Sequence, residues 1–97
     1  MAREKAITDA ICRRLREAGL WHVKLHGSPM QRRGLPDLLI IVDGRAVFLE
    51  VKRPGLGATR LQGHRIAELR EAGAVAGVVH SWDETLGLLR PARKEGA

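Results

Sequence analysis

A single dipeptide, Asp43-Gly44, separates two apolar stretches: residues 38–42, and residues 46–51, where only Glu50 is polar. Both central positions of a two-residue type I′ turn need positive φ, and Asp-Gly is among the pairs that tolerate this best. The chain from 34 to 52 is therefore expected to fold as a β-hairpin. With a two-residue loop Val42 faces Arg45, and running the register outward brings Asp37 opposite Glu50. Strand alternation then puts Lys52 on the same face as Glu50, two positions along.

That opposition is costly for a sheet. Directly paired residues hold their Cβ atoms about 5 Å apart, where like charges destabilise. Two carboxylates at about 5 Å and an effective dielectric near 20 repel by roughly 3 kcal/mol. A divalent cation between them reverses the sign. Asp37, Glu50 and Lys52 thus converge at the open end of a hairpin in a way that suits a metal-assisted reaction better than it suits folding.

The 97 residues suffice for one small domain. Lys plus Arg exceed Asp plus Glu by 17 to 11, for a net charge of +6, and a basic excess of this size points to a polyanionic partner, most often nucleic acid. The lone Cys12 excludes an internal disulfide and a cysteine zinc site. It reads as a small structural side chain. With neither a bilayer-length apolar segment nor a signal-peptide core, the expected location is cytoplasmic, with no membrane partner.

Taken in order, residues 3–18 form an amphipathic helix with Ile7, Ile11, Leu15 and Ala18 on one stripe and Gly19 as its stop. Glu4 lies on that stripe, whereas Asp9 and Glu17 point elsewhere. Residues 21–26 alternate, with Trp21, Val23 and Leu25 on one face and His22, Lys24 and His26 on the other, the pattern of a half-buried strand. The two histidines stand about 13 Å apart, too far to share an ion. The loop from 27 to 34 carries Arg32 and Arg33 and leads straight into the hairpin. After the break at 53–57, Thr59-Arg60-Leu61-Gln62 has the form of a capping box opening a helix to about 72. In it the cap and an inward-facing role compete for Gln62. A valine-rich strand at 74–80 follows, then a short helix capped by Ser81, with Leu86 and Leu89 inward. The order α-β-β-β-α-β-α gives an α/β domain with a mixed central sheet flanked by helices. Residues 1–90 are expected to form it, and 91–97 a flexible basic tail.

The sequence Gly34-Leu35-Pro36-Asp37, then Glu50-Val51-Lys52, with Glu4 in the opening helix and Gln62 starting the helix after the hairpin, resembles the PD-(D/E)xK nuclease superfamily. Within it the chain is most similar to the VRR-NUC group of virus-type replication-repair nucleases, over nearly its whole length. The resemblance implies a restriction-endonuclease-like αβββαβ core and a site built from Glu4, Asp37, Glu50, Lys52 and Gln62. Asp37, Glu50 and the Val51 backbone carbonyl would hold Mg²⁺ or Mn²⁺, with Glu4 acting on the ion directly or through water. Lys52 would position or activate the attacking water, and Gln62 would orient the site. The expected phosphate contacts are Lys24, His26, Arg32, Arg33, Arg53 and Arg60.

With three aromatic residues and no helix bearing a groove-reading set of side chains, base-specific recognition is not expected. Phosphates supply affinity and DNA shape supplies specificity. The leading expectation is a metal-dependent, structure-specific DNA endonuclease that cuts four-way (Holliday) junctions as a two-fold homodimer, since two matched cuts need two sites. The alternatives are a nuclease acting on flaps, ends or broader substrates in phage or bacterial DNA processing, and a non-catalytic DNA-binding module.

Overall fold

The computed structural model describes residues 3–25 and 32–94. Its elements follow the expected order: α1 (Glu4–Glu17), β1 (His22–Lys24), β2 (Leu38–Val42), β3 (Arg45–Val51), α2 (Arg60–Glu71), β4 (Val75–Val79) and α3 (Trp82–Ala92). The four strands form one mixed sheet in the order β1-β2-β3-β4, with antiparallel β1–β2 and β2–β3 pairs and a parallel β3–β4 pair.

The hairpin turn is as the dipeptide demands. Asp43 has φ 50° and Gly44 φ 80°, both left-handed, and Val42 pairs with Arg45. The ladder holds its register from there to Leu38 against Leu49 and stops. Asp37 and Glu50 are therefore not a ladder pair, which corrects the expected direct opposition. The Asp37 amide donates instead to the Leu49 carbonyl at 2.9 Å, one position out of register, and its carboxylate takes over the next strand bond.

Alternation along the hairpin sorts the core. Leu38, Ile40, Val42, Val47, Leu49 and Val51 turn to one face, where Ile7, Ile11, Cys12 and Leu15 of α1 and Leu89 of α3 close over them. α1 ends as Gly19 predicts. Gly19 has φ 70°, its amide donates to the Arg16 carbonyl and the Leu20 amide to the Leu15 carbonyl, the paired bonds of a Schellman stop. α2 opens on the full capping box, Thr59 Oγ1 accepting from the Gln62 amide at 3.2 Å while Gln62 Oε1 accepts from the Thr59 amide at 2.9 Å.

Two expectations change. In β1 it is His22 and Lys24, opposite Ile40 and Leu38, that face α1, while Trp21 and Val23 lie on the other face of the sheet at 60% and 39% exposure. An edge strand this short has its inner face covered by the stem of Lys24 reaching towards α1, which leaves its apolar residues outside. At the other end, α3 runs through Pro91 to Ala92, past the expected start of the tail. Ala92 is buried, Arg45 Nη1 donates to the Pro91 carbonyl at 2.9 Å, and the Lys94 amide donates to Asp43 Oδ2 at 3.0 Å. Among the described residues no helix is long and apolar enough to cross a membrane.

Candidate active site

The open end of the β2–β3 hairpin meets the first turns of α1 at a cleft of about 380 Å³. Asp37 and Val51 line it from the hairpin and Glu4 lines it from α1. Three chain-distant segments thus meet at one place because β2 ends where β3 is about to leave the sheet and α1 begins over the same sheet end.

Asp37 is oriented by the backbone. Its Oδ2 accepts from the Val51 amide at 2.8 Å, and its carbonyl accepts from the Leu25 amide at 2.8 Å. One carboxylate oxygen is thereby fixed and the other left for a further partner, and β1 is tied to the same residue.

Glu50 is the most perturbed group. It is 2% exposed, and among the described residues no group hydrogen-bonds its Oε2. Lys52 Nζ stands 3.8 Å from the other oxygen, Oε1, an ionic contact beyond hydrogen-bond range. Burial, and then the Asp37 charge, push the Glu50 carboxyl up to about 7, with Lys52 opposing and Glu4 adding to the rise. Burying a carboxylate costs free energy unless it is paired and hydrogen-bonded, and among the described residues Oε2 has no hydrogen-bond partner. The donor set is hard oxygen, two carboxylates beside a strand-end carbonyl, and the electrostatics call for positive charge. Both match what Mg²⁺ takes from a protein while it retains waters and substrate oxygens.

Glu4 sits at the start of α1, half-buried, with Oε2 accepting from the Arg53 amide at 3.4 Å. It is near enough to raise the Glu50 carboxyl. Among the described residues, however, no three His, Cys, Asp or Glu side chains form a metal-holding group, so Glu4 does not complete a three-carboxylate cage here. Gln62 is the residue whose placement differs most from a direct role, since its side-chain oxygen is engaged in the α2 cap.

Of the expected phosphate contacts, Lys24 lines the cleft. Arg32, Arg33, Arg53 and Arg60 are exposed, the Arg33 carbonyl held by Arg65 Nε at 2.9 Å. His26 lies outside the described residues. The chain between Arg33 and Asp37 enters the hairpin through Gly34, at φ 80°, where an added Cβ would come within 2.6 Å of Leu61 Cγ on α2. Glycine is needed there both for the left-handed backbone and for the close approach.

Sequence reasoning missed Asp9. Read as pointing away from the apolar stripe of α1, it also lines the cleft with Lys5 and Thr8 and binds Lys5 at 2.9 Å and Lys24 at 3.2 Å. Lys5 first, and then Lys24, hold its carboxyl below the usual range. The signal available was the Lys5–Asp9 spacing of four, which reads equally as an ordinary helix-surface pair.

No protein-family model matches the chain, and a comparison with curated proteins finds none that matches. Among solved structures the chain is similar to one described as a VRR_NUC domain, with a TM-score of 0.77 and 27% sequence identity, over 93% of this chain and 97% of that one. The fold read from the PD and ExK motifs is thus that of a solved relative along almost the whole of both chains, and the protein has the architecture of a VRR-NUC domain.

Proposed function

We propose that this protein is a divalent-metal-dependent nuclease of the PD-(D/E)xK type, acting on branched DNA as a homodimer. The observation that carries the reading is Glu50: a buried carboxylate with one oxygen that has no hydrogen-bond partner among the described residues, beside Asp37 and Lys52 at a strand end. A non-catalytic DNA-binding surface gains nothing from such a group. The similar VRR_NUC structure supports the same chemistry.

Asp37, Glu50 and the Val51 carbonyl are the residues that would hold Mg²⁺ or Mn²⁺. A divalent ion there supplies Lewis-acid stabilisation of the charge that builds on the phosphoryl oxygens and lowers the pKa of a bound water. The Val51 amide keeps Asp37 aimed at the cleft. Lys52 places a fixed positive donor beside Glu50, where it can orient the attacking water. Glu4 closes the cleft on the α1 side and ties Arg53 to it. Exposed Arg32, Arg33, Arg53 and Arg60 supply phosphate contacts that read DNA shape rather than bases. For self-association, support comes from the β1–β2 side of the sheet, where Trp21, Val23 and Ile41 are exposed on the same face.

The test is incubation with labelled four-way, flap and linear duplexes in Mg²⁺, Mn²⁺ or EDTA. Cleavage is expected with metal only, strongest on the four-way junction, by a protein of twice the monomer mass in light scattering. Asp37→Asn keeps an oxygen for the Val51 amide and is expected to retain the circular-dichroism signal while cleavage disappears. Cleavage that persists in EDTA or in Glu50→Ala overturns the metal mechanism. A monomeric mass overturns the paired-cut reading.

A further inference from the structure

A metal site built on Asp37 handles one phosphate, yet a DNA strand carries a charge about every 3.4 Å of its axis. The neighbouring phosphates must lie somewhere, and the cleft that holds Asp37 continues to a second group of charges. Lys24 stands on β1 opposite Leu38, the residue after Asp37, and the adjacent Leu25 amide is bonded to the Asp37 carbonyl. The backbone of Lys24 is thus fixed to the site itself. Its Nζ is drawn to Asp9 Oδ1 at 3.2 Å, while Lys5 Nζ holds Asp9 Oδ2 at 2.9 Å. Thr8, between them, turns its hydroxyl back to the Glu4 carbonyl.

As a stabiliser this group does little, because the three side chains are 83%, 48% and 41% exposed for Lys5, Asp9 and Lys24, and exposed ion pairs are worth under about 1 kcal/mol. Its effect is positional. One carboxylate gathers two flexible ammonium groups on the cleft that Glu4 and Asp37 also line, and the three charges together keep a net positive charge. We propose that Asp9 is a positioning residue that assembles Lys5 and Lys24 into a subsite for a backbone phosphate flanking the one cleaved. This rests on the nuclease reading above.

Asp9→Ala separates the proposal from general electrostatics, because the two give opposite signs. Removing a negative charge from a DNA-binding cleft should tighten binding. Loss of the assembled subsite should instead lower kcat/KM on the four-way junction about five- to tenfold. Binding in EDTA across a salt series supplies the second readout. Lys24→Ala should reduce the slope of log K against log salt by about 0.9, one phosphate contact. Lys94→Ala, which removes the same charge next to the hairpin turn, should leave kcat/KM unchanged. Asp9→Ala cleaving as fast as the parent, or Lys24→Ala keeping the parent salt slope, overturns the subsite while leaving the nuclease standing. A parent that cleaves nothing in any metal overturns the nuclease reading itself.

Discussion

Replacing Glu50 by glutamine should make the metal-free protein more stable, an unusual result for a buried site residue. In the folded state the Glu50 carboxyl sits at about 7 instead of its ordinary 4.5. Holding it ionised in the fold therefore costs on the order of 3 kcal/mol at high pH. The folded state binds more protons than the unfolded between those two values, so metal-free stability falls as pH rises from about 4.5 to 7 and stays low above. Glutamine keeps the shape without the charge. Lys52, 3.8 Å away, loses its counter-charge in the exchange, so a net gain on the order of 1–3 kcal/mol is expected at pH 8. For a domain of this size each kcal/mol moves Tm by about 4–8 °C.

The assay is thermal or urea unfolding of both proteins in EDTA from pH 4 to 8. The curves should coincide near pH 4 and separate above 5, with Glu50→Gln ahead. Adding Mg²⁺ should raise the parent and leave Glu50→Gln unmoved, because a ligand that binds only the native state stabilises by mass action. Should Glu50→Gln prove less stable than the parent at pH 8 in EDTA, or differ from it by a constant amount across the range, the strained carboxylate does not exist. Nothing in the site would then call for a cation.

Gly34→Ala should cost 1–3 kcal/mol in urea unfolding, from the left-handed backbone and the contact with Leu61. Adding Leu61→Ala should recover less than the whole loss, since it relieves only the contact. A full recovery would show that φ at residue 34 carries no strain. Thr59→Ala and Gln62→Ala each remove half of the capping box and should each lose about 0.5–1 kcal/mol, with equal and small effects on cleavage. A kcat loss confined to Gln62→Ala would give that side chain a place in the site beyond the cap.

The hairpin, its turn and its pairing up to Leu38–Leu49 were legible because each is a local matter: a dipeptide that accepts positive φ, and alternation that sorts Ile40 and Val47 inward from Leu39 and Phe48. The helix stops and caps at Gly19, Thr59 and Ser81 were legible for the same reason, since each rests on residues within four positions. Strand geometry leads to the expectation that Asp37, Glu50 and Lys52 meet, although the direct Asp37–Glu50 pairing behind it does not form. Glu4 stands out by its place on the apolar stripe of α1 and Gln62 by the inner side of α2, before the family resemblance gives each a role.

What tertiary structure alone decided depends on contacts between distant segments. Asp37 leaves the ladder because its carboxylate finds the Val51 amide and its carbonyl finds Leu25, bonds no local pattern contains. Glu50 became the strained group, rather than an equal partner of Asp37, because the fold covers it completely. The two faces of β1 read the wrong way round, since alternation tells which residues share a face but not which face a helix will cover. Asp9 lies off the apolar stripe of α1 and stays exposed, yet it lines the cleft, where a lysine fifteen residues along the chain meets it. The chemistry of this protein was written in residue types and spacings, and the charges that surround it were placed by packing.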